Sequence, residues 1–251
     1  MTQREALFDF LLRLGDDRLV LGHRLSEWCG HAPILEEDIA LANIALDEIG
    51  QAAAYLDLAG SVEAKGRNGD ALAYFREATE FMNVRLVELP NGDFAKTIAR
   101  QYFFDAYDRL LLELLQRSNE GRIAAIAAKG VKEAIYHRRH SGDWLLRLGS
   151  GTDESHRRLQ TAVDDLWRYT PELFRQDDAE RWLVDKGIIP RLDGIREEWL
   201  NEVTEQLRAA SIVLPAEATT ADGSDRSHTE HLGHLLAELQ IVARSFPGAS
   251  W

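Results

Sequence analysis

Asp16, Asp17, Asp47, Asp105 and Glu133 are acids set in largely apolar, helix-patterned stretches, and their spacing is regular. Counting from position 119, Asp105 lies 14 residues before and Glu133 lies 14 after. Counting from position 33, Asp47 lies 14 after, while Asp16 and Asp17 lie 17 and 16 before. At about 1.5 Å rise per residue, antiparallel helices bring residues equally far from their turn to one height. Four helices would then each offer a carboxylate near a common level. Carboxylates meeting in a dry interior, with imidazoles beside them, are the ligand set of an oxygen-activating pair of irons.

The imidazoles are missing from their expected places. A di-iron helix presents Glu-x-x-His, with both side chains on one face. Here Asp47-x-x leads to Gly50, Glu48-x-x to Gln51 and Glu133-x-x to Tyr136, with His137 one residue later. His137 at i+4 can still share a face with Glu133. Lys129 and Lys132 precede Glu133, and either could neutralise the acids in place of metal; the plain alternative is that both are surface residues. With 42 acids in the chain, chance alignment is the competing explanation. Asp105 follows Tyr102-Phe103-Phe104 and Asp47 follows a mostly apolar run, which favours an inward layer. The residues thus read as a vestigial metal site made of Asp16, Asp17, Asp47, Gln51, Asp105, Glu133 and His137, with no metal and no catalytic residue. The alternative from the same residues is a stand-alone di-metal oxidase using Asp16 or Asp17, Asp47, Asp105 and Glu133 with His137.

These side chains need long helices to hold them, and the pattern supplies them. Apolar positions at 3,4 spacing, including Leu7, Leu11, Leu14, Val20, Leu21 and Leu25, predict a helix over 3–29 that breaks at Gly30 to Pro33. A second covers about 35–59, opening on Glu36, Glu37 and Asp38. A third is expected over Asp70 to Glu88, before the Pro90-Asn91-Gly92 turn. Asp93 caps a helix of 93–117, and another runs over 122–148. After 152, outer helices are expected to Phe174, over Asp177 to Lys186, Asp193 to Ala210 and Thr229 to Ser245, with a loop over Leu214 to Ser227. No run of alternating β-branched residues predicts a strand. Short turns make antiparallel hairpins, so the expected fold is all-α: a single ferritin-like four-helix domain over 1–251 with additional C-terminal helices.

A net charge of −13 argues against nucleic acid as a partner, since phosphates need a basic face. No basic, then apolar, leader and no run long enough to span a bilayer is evident, so a cytoplasmic, membrane-free protein is expected. The lone Cys29, beside Trp28, reads as a small buried hydrophobe. His228, His231 and His234 sit at i, i+3, i+6 near a helix start, where capping or interface roles outweigh metal binding. The six tryptophans fit either core packing or a subunit interface.

Several segments together are specific. They include Leu12-Arg13-Leu14-Gly15-Asp16, Glu27-Trp28-Cys29-Gly30-His31-Ala32-Pro33, Ala40 to Ile44 with Asp47 and Gly50-Gln51, and Pro90-Asn91-Gly92. Others are Thr97 to Phe103, Lys132-Glu133-Ala134 with Tyr136-His137, and Thr229 to Gly233. Over nearly its whole length the chain resembles the PaaC-type structural subunits of bacterial phenylacetyl-CoA epoxidases. That resemblance implies a non-catalytic role beside a PaaA-like subunit carrying the di-iron centre, with a PaaB-like small subunit and a PaaE-like reductase completing a hetero-oligomer. It implies no cofactor in this chain.

Overall fold

The computed structural model describes residues 1–215 and 227–249. Among them the chain forms α1 (Gln3–Ser26), α2 (Leu35–Glu63), α3 (Gly69–Tyr74), α4 (Arg85–Glu88), α5 (Phe94–Leu115), α6 (Gly121–Gly149), α7 (Asp153–Trp167), α8 (Asp178–Asp185), α9 (Ile195–Ala209) and α10 (Glu230–Ser245). Two 3-10 turns lie at Ala78–Glu80 and Thr170–Phe174, and no strand occurs among the described residues. The fold is all-α, with the ferritin-like element order of two long-helix hairpins separated by a crossover. No helix there is long and apolar enough to cross a membrane.

The chain divides into two compact units. The first comprises Met1–Pro90, Gln176–Gly187 and the described residues from 227 on. The second comprises Asn91–Arg175 and the residues from Ile188 to 215.

In the first unit α1 starts on a capping box, with the Thr2 N–H donating to Glu5 at 2.7 Å and the Glu5 N–H donating to the Thr2 hydroxyl at 3.3 Å. The leucines of its 3,4 pattern are buried, from Leu7 to Leu25. Two glycines let α2 approach. A Cβ on Gly15 would lie 2.8 Å from the Leu56 side chain, and one on Gly22 the same distance from Ile49 and 3.1 Å from the Ala45 carbonyl. The order of these contacts, Gly15 with Leu56 and Gly22 with Ile49, makes the helices antiparallel. Helix α1 stops at Ser26, three residues sooner than expected, and the turn that follows carries Cys29 to the surface. Cys29 is therefore no core residue.

The crossover departs most from expectation. Instead of one helix over 70–88 there are α3, a 3-10 turn and α4, separated by extended backbone at Phe81 and Val84. The cause is long-range. The Met82 N–H donates to Asp16 at 2.9 Å and the Val84 N–H donates to Asp17 at 2.7 Å, so α1 takes hydrogen-bond donors that a continuous helix would have used internally. Helix α10 packs over this crossover: the Gln240 amide donates to the carbonyls of Ala73 and Arg76, each at 3.0 Å.

In the second unit Asp93 caps α5 as expected, accepting from the Lys96 N–H at 2.9 Å. Helix α7 ends at Trp167 rather than reaching Phe174, because Pro171 has no N–H to extend it and the chain tightens into a 3-10 turn. Trp199 and Trp167 are core residues here. Trp199 donates its indole N–H to the Phe103 carbonyl at 2.9 Å, and the two indoles stack at 5.6 Å. The loop expected over Leu214 to Ser227 falls mostly on residues 216–226, outside the described residues.

Candidate functional site

The hairpin register decides which acids share a level. On α1, Asp16 follows Gly15, which faces Leu56 and the Ala52 carbonyl; Asp47 precedes Glu48, whose Cβ lies against Gly22. Asp16 and Asp47 are thus about two turns apart in height. In the other hairpin Tyr102 faces Gly142 and Asp105 meets Ser141, so Asp105 and Glu133 are not level either. Both true pivots lie a few residues beyond positions 33 and 119, and a misplaced pivot doubles into the register.

Asp16 and Asp17 instead anchor the crossover. Asp16 is fully buried and bound by both terminal nitrogens of the buried Arg76, one at 2.9 Å, in addition to the Met82 N–H. Burial pushes the Asp16 carboxyl up, and Arg76 pulls it down. Burial raises Asp17 to about 7 against the pull of Arg13 and of the Val84 N–H. Arg13 itself pairs with Glu180 at 2.8 Å, and burial also raises Glu180.

Helix α2 carries Glu48-x-x-Gln51, both buried. At the position a di-iron helix gives to histidine, the Gln51 amide oxygen accepts from the Arg18 Nε at 3.0 Å. That guanidinium also donates to the Leu14 carbonyl at 2.8 Å and lies 5.0 Å from the centre of the Tyr55 ring. A permanent cation occupies the ligand position of this hairpin, and it would repel a metal dication. The α1–α2 hairpin does not fit an iron pair. Asp47 is only half-buried.

In the second unit Asp105 and His137 come together. Both are buried, and a ligand atom of each lies within 4.8 Å of the other's. Asp105 is already engaged within its unit. The Gln101 amide donates to one oxygen at 2.6 Å, and the Ser141 hydroxyl to the other at 2.7 Å. Glu133 is half-buried and pairs loosely with the exposed Lys129 at 3.8 Å, while Lys132 is exposed. Neither lysine is the neutralising cation of a buried carboxylate; in the first unit Arg76 serves Asp16 in this way and Arg13 serves Glu180. Arg18, Arg76, Gln101 and Ser141 escaped the reading of motifs. Two of them could have been found there: counting from the turn puts Arg18 near the level of Gln51, and Gln101 lies four residues before Asp105 on the same helix face.

The family model described as phenylacetic acid catabolic protein matches residues 1–251. Among curated proteins, the chain is 47% identical over 243 residues to one of the subunits of the 1,2-phenylacetyl-CoA epoxidase of Escherichia coli (strain K12), covering 96% of this chain and 98% of that protein.

Proposed function

Since the chain belongs to this phenylacetic acid catabolic protein family, we propose that it is the non-catalytic structural subunit of a cytoplasmic di-iron oxygenase that epoxidises the aromatic ring of phenylacetyl-CoA. It pairs with and supports a PaaA-like catalytic subunit, which holds the iron; a PaaB-like small subunit and a PaaE-like reductase complete the assembly. The relative that belongs to such an epoxidase supports this reading. The observation that carries it is the Arg18–Gln51 pair, a guanidinium and an amide where an iron-binding helix needs an imidazole. No step of the oxygenation is assigned to this chain's residues.

Pairing is supported by the outer face of α2. Leu35, Ile39 and Leu46 fall on one side of the helix, and they are 72%, 55% and 67% exposed. Gly50 and Ala53 extend the face with small exposed residues that permit close helix approach. An apolar stripe running over several turns is what a subunit keeps for a permanent, core-like interface.

The test is co-expression with a di-iron subunit of the same family, followed by iron quantification on each separated chain. Iron is expected with the partner, at well under one atom per copy of this chain. Turnover by the assembled complex should also survive Glu133→Gln. Stoichiometric, activity-supporting iron in this chain would overturn the proposal in favour of a stand-alone oxidase, the reading that the Asp105–His137 approach favours.

A further inference from the structure

We infer that His228 is held as an imidazolium and that its second proton latches the C-terminal helix α10 onto the crossover of the first unit. The Nδ1 atom lies 2.9 Å from a carboxylate oxygen of Glu88, and Nε2 lies 2.9 Å from the Phe81 carbonyl oxygen. A neutral imidazole has one N–H and one lone pair. The Phe81 carbonyl can only accept. The Glu88 oxygens already take the Thr229 N–H and, at 3.1 Å, the Asn83 amide, so this fully buried carboxylate also acts as an acceptor. With Glu88 ionised, only the doubly protonated ring satisfies both neighbours. In the neutral form a nitrogen lone pair would face an oxygen.

The surrounding charges reinforce this. Asp16 on α1 is near enough for the His228 charge to act on its carboxyl, although Arg76 is its direct partner. On the same helix Arg24 donates to the Glu88 carbonyl at 3.1 and 2.8 Å and to the His231 carbonyl at 3.1 Å. On α10 itself Glu230 is exposed and His231 half-buried. The negative groups nearest the ring, Glu88 and Asp16, are the more deeply buried.

Helix α10 depends on this clasp because it lacks a side-chain cap of its own. Thr229 holds the N-cap position, yet its hydroxyl is buried and makes no hydrogen bond. Its N–H goes to Glu88. What fixes the start of the helix is therefore Glu88, flanked by His228 and Arg24. The folded state binds the second proton of His228 more tightly than the unfolded chain does. The clasp is therefore complete at low pH and weakens as pH rises through the folded-state titration.

Two measurements on the full chain test this. Correlation of the His228 ring nitrogens with their attached carbons' hydrogens by NMR should show both nitrogens protonated at neutral pH; a neutral tautomer would overturn the inference. Hydrogen exchange of the first amides of α10, corrected for intrinsic rates, should lose about ten- to a hundredfold protection as the pH is raised through the loss of the second His228 proton seen by NMR, the scale of one charged hydrogen bond. His228→Gln should be less protected at the lower pH and flat across the range. A variant retaining the wild-type pH trend would show that the proton acts elsewhere.

Discussion

Adjacent on α1, Asp16 and Asp17 each give up full hydration to hold a backbone N–H of the crossover, but only Asp16 is gripped by a bidentate guanidinium. Burial leaves Asp17 titrating near 7 rather than at its ordinary 3.8. The folded state therefore keeps a proton that the unfolded chain releases across this interval. The Asp17 contribution to stability falls as pH climbs from about 4 to about 7, and is constant above. Asp17→Asn keeps an acceptor for the Val84 N–H and removes the titration. Urea unfolding from about pH 4.5 to 7.5 should show wild type losing ground to the variant; parallel profiles would mean that Asp17 stays ionised throughout. The sequence marks Asp16 and Asp17 as inward acids, as it does Asp105. It does not show what they meet, because Arg76 lies 60 residues from Asp16 and Ser141 36 from Asp105. Local spacing carries no information about either pairing.

At the level of elements, both hairpins were legible, since their helices combine 3,4 apolar spacing with turn residues and, for α5, a capping aspartate. The crossover was not. Its residues have adequate helix propensity, and the helix is broken by acceptors on another element competing for its N–H groups. Arg76 is central to that competition, binding Asp16 with its terminal nitrogens while its guanidinium lies 4.2 Å from the centre of the Phe81 ring. Arg76→Met leaves a buried carboxylate without its cation, a change that costs about 3–5 kcal/mol. Combining it with Asp16→Asn removes both charges yet keeps an acceptor for the Met82 N–H, and should restore much of that loss, as chemical denaturation would reveal. Additive losses in the double variant would instead assign the effect of Arg76 to packing alone.

On the molecular scale, the chain builds two long-helix hairpins, and the first carries the Arg18–Gln51 pair where a di-iron helix would present an imidazole. On the proposed reading, the exposed face of α2 is what meets the partner. Ile39→Glu with Leu46→Glu adds two charges to the exposed face of α2, where surface changes cost little in folding. The circular dichroism melt should shift by only a few degrees, whereas capture of the catalytic subunit should fall by at least about a hundredfold. Undiminished capture would place the interface on another face. This stripe was hidden in the pattern because Leu35, Ile39 and Leu46 are indistinguishable by type from core leucines and isoleucines; only the geometry shows which side of α2 is already covered.

The grip of Asp16 and Asp17 on Met82 and Val84 also sets a direction in time. A ribosome delivers the N-terminal segment first, at roughly 5–20 residues per second, so the template is waiting when residues 76–84 emerge. Until then the two acids stay hydrated and cost little. The acceptors that bend the crossover are thus on the chain before the segment they bend.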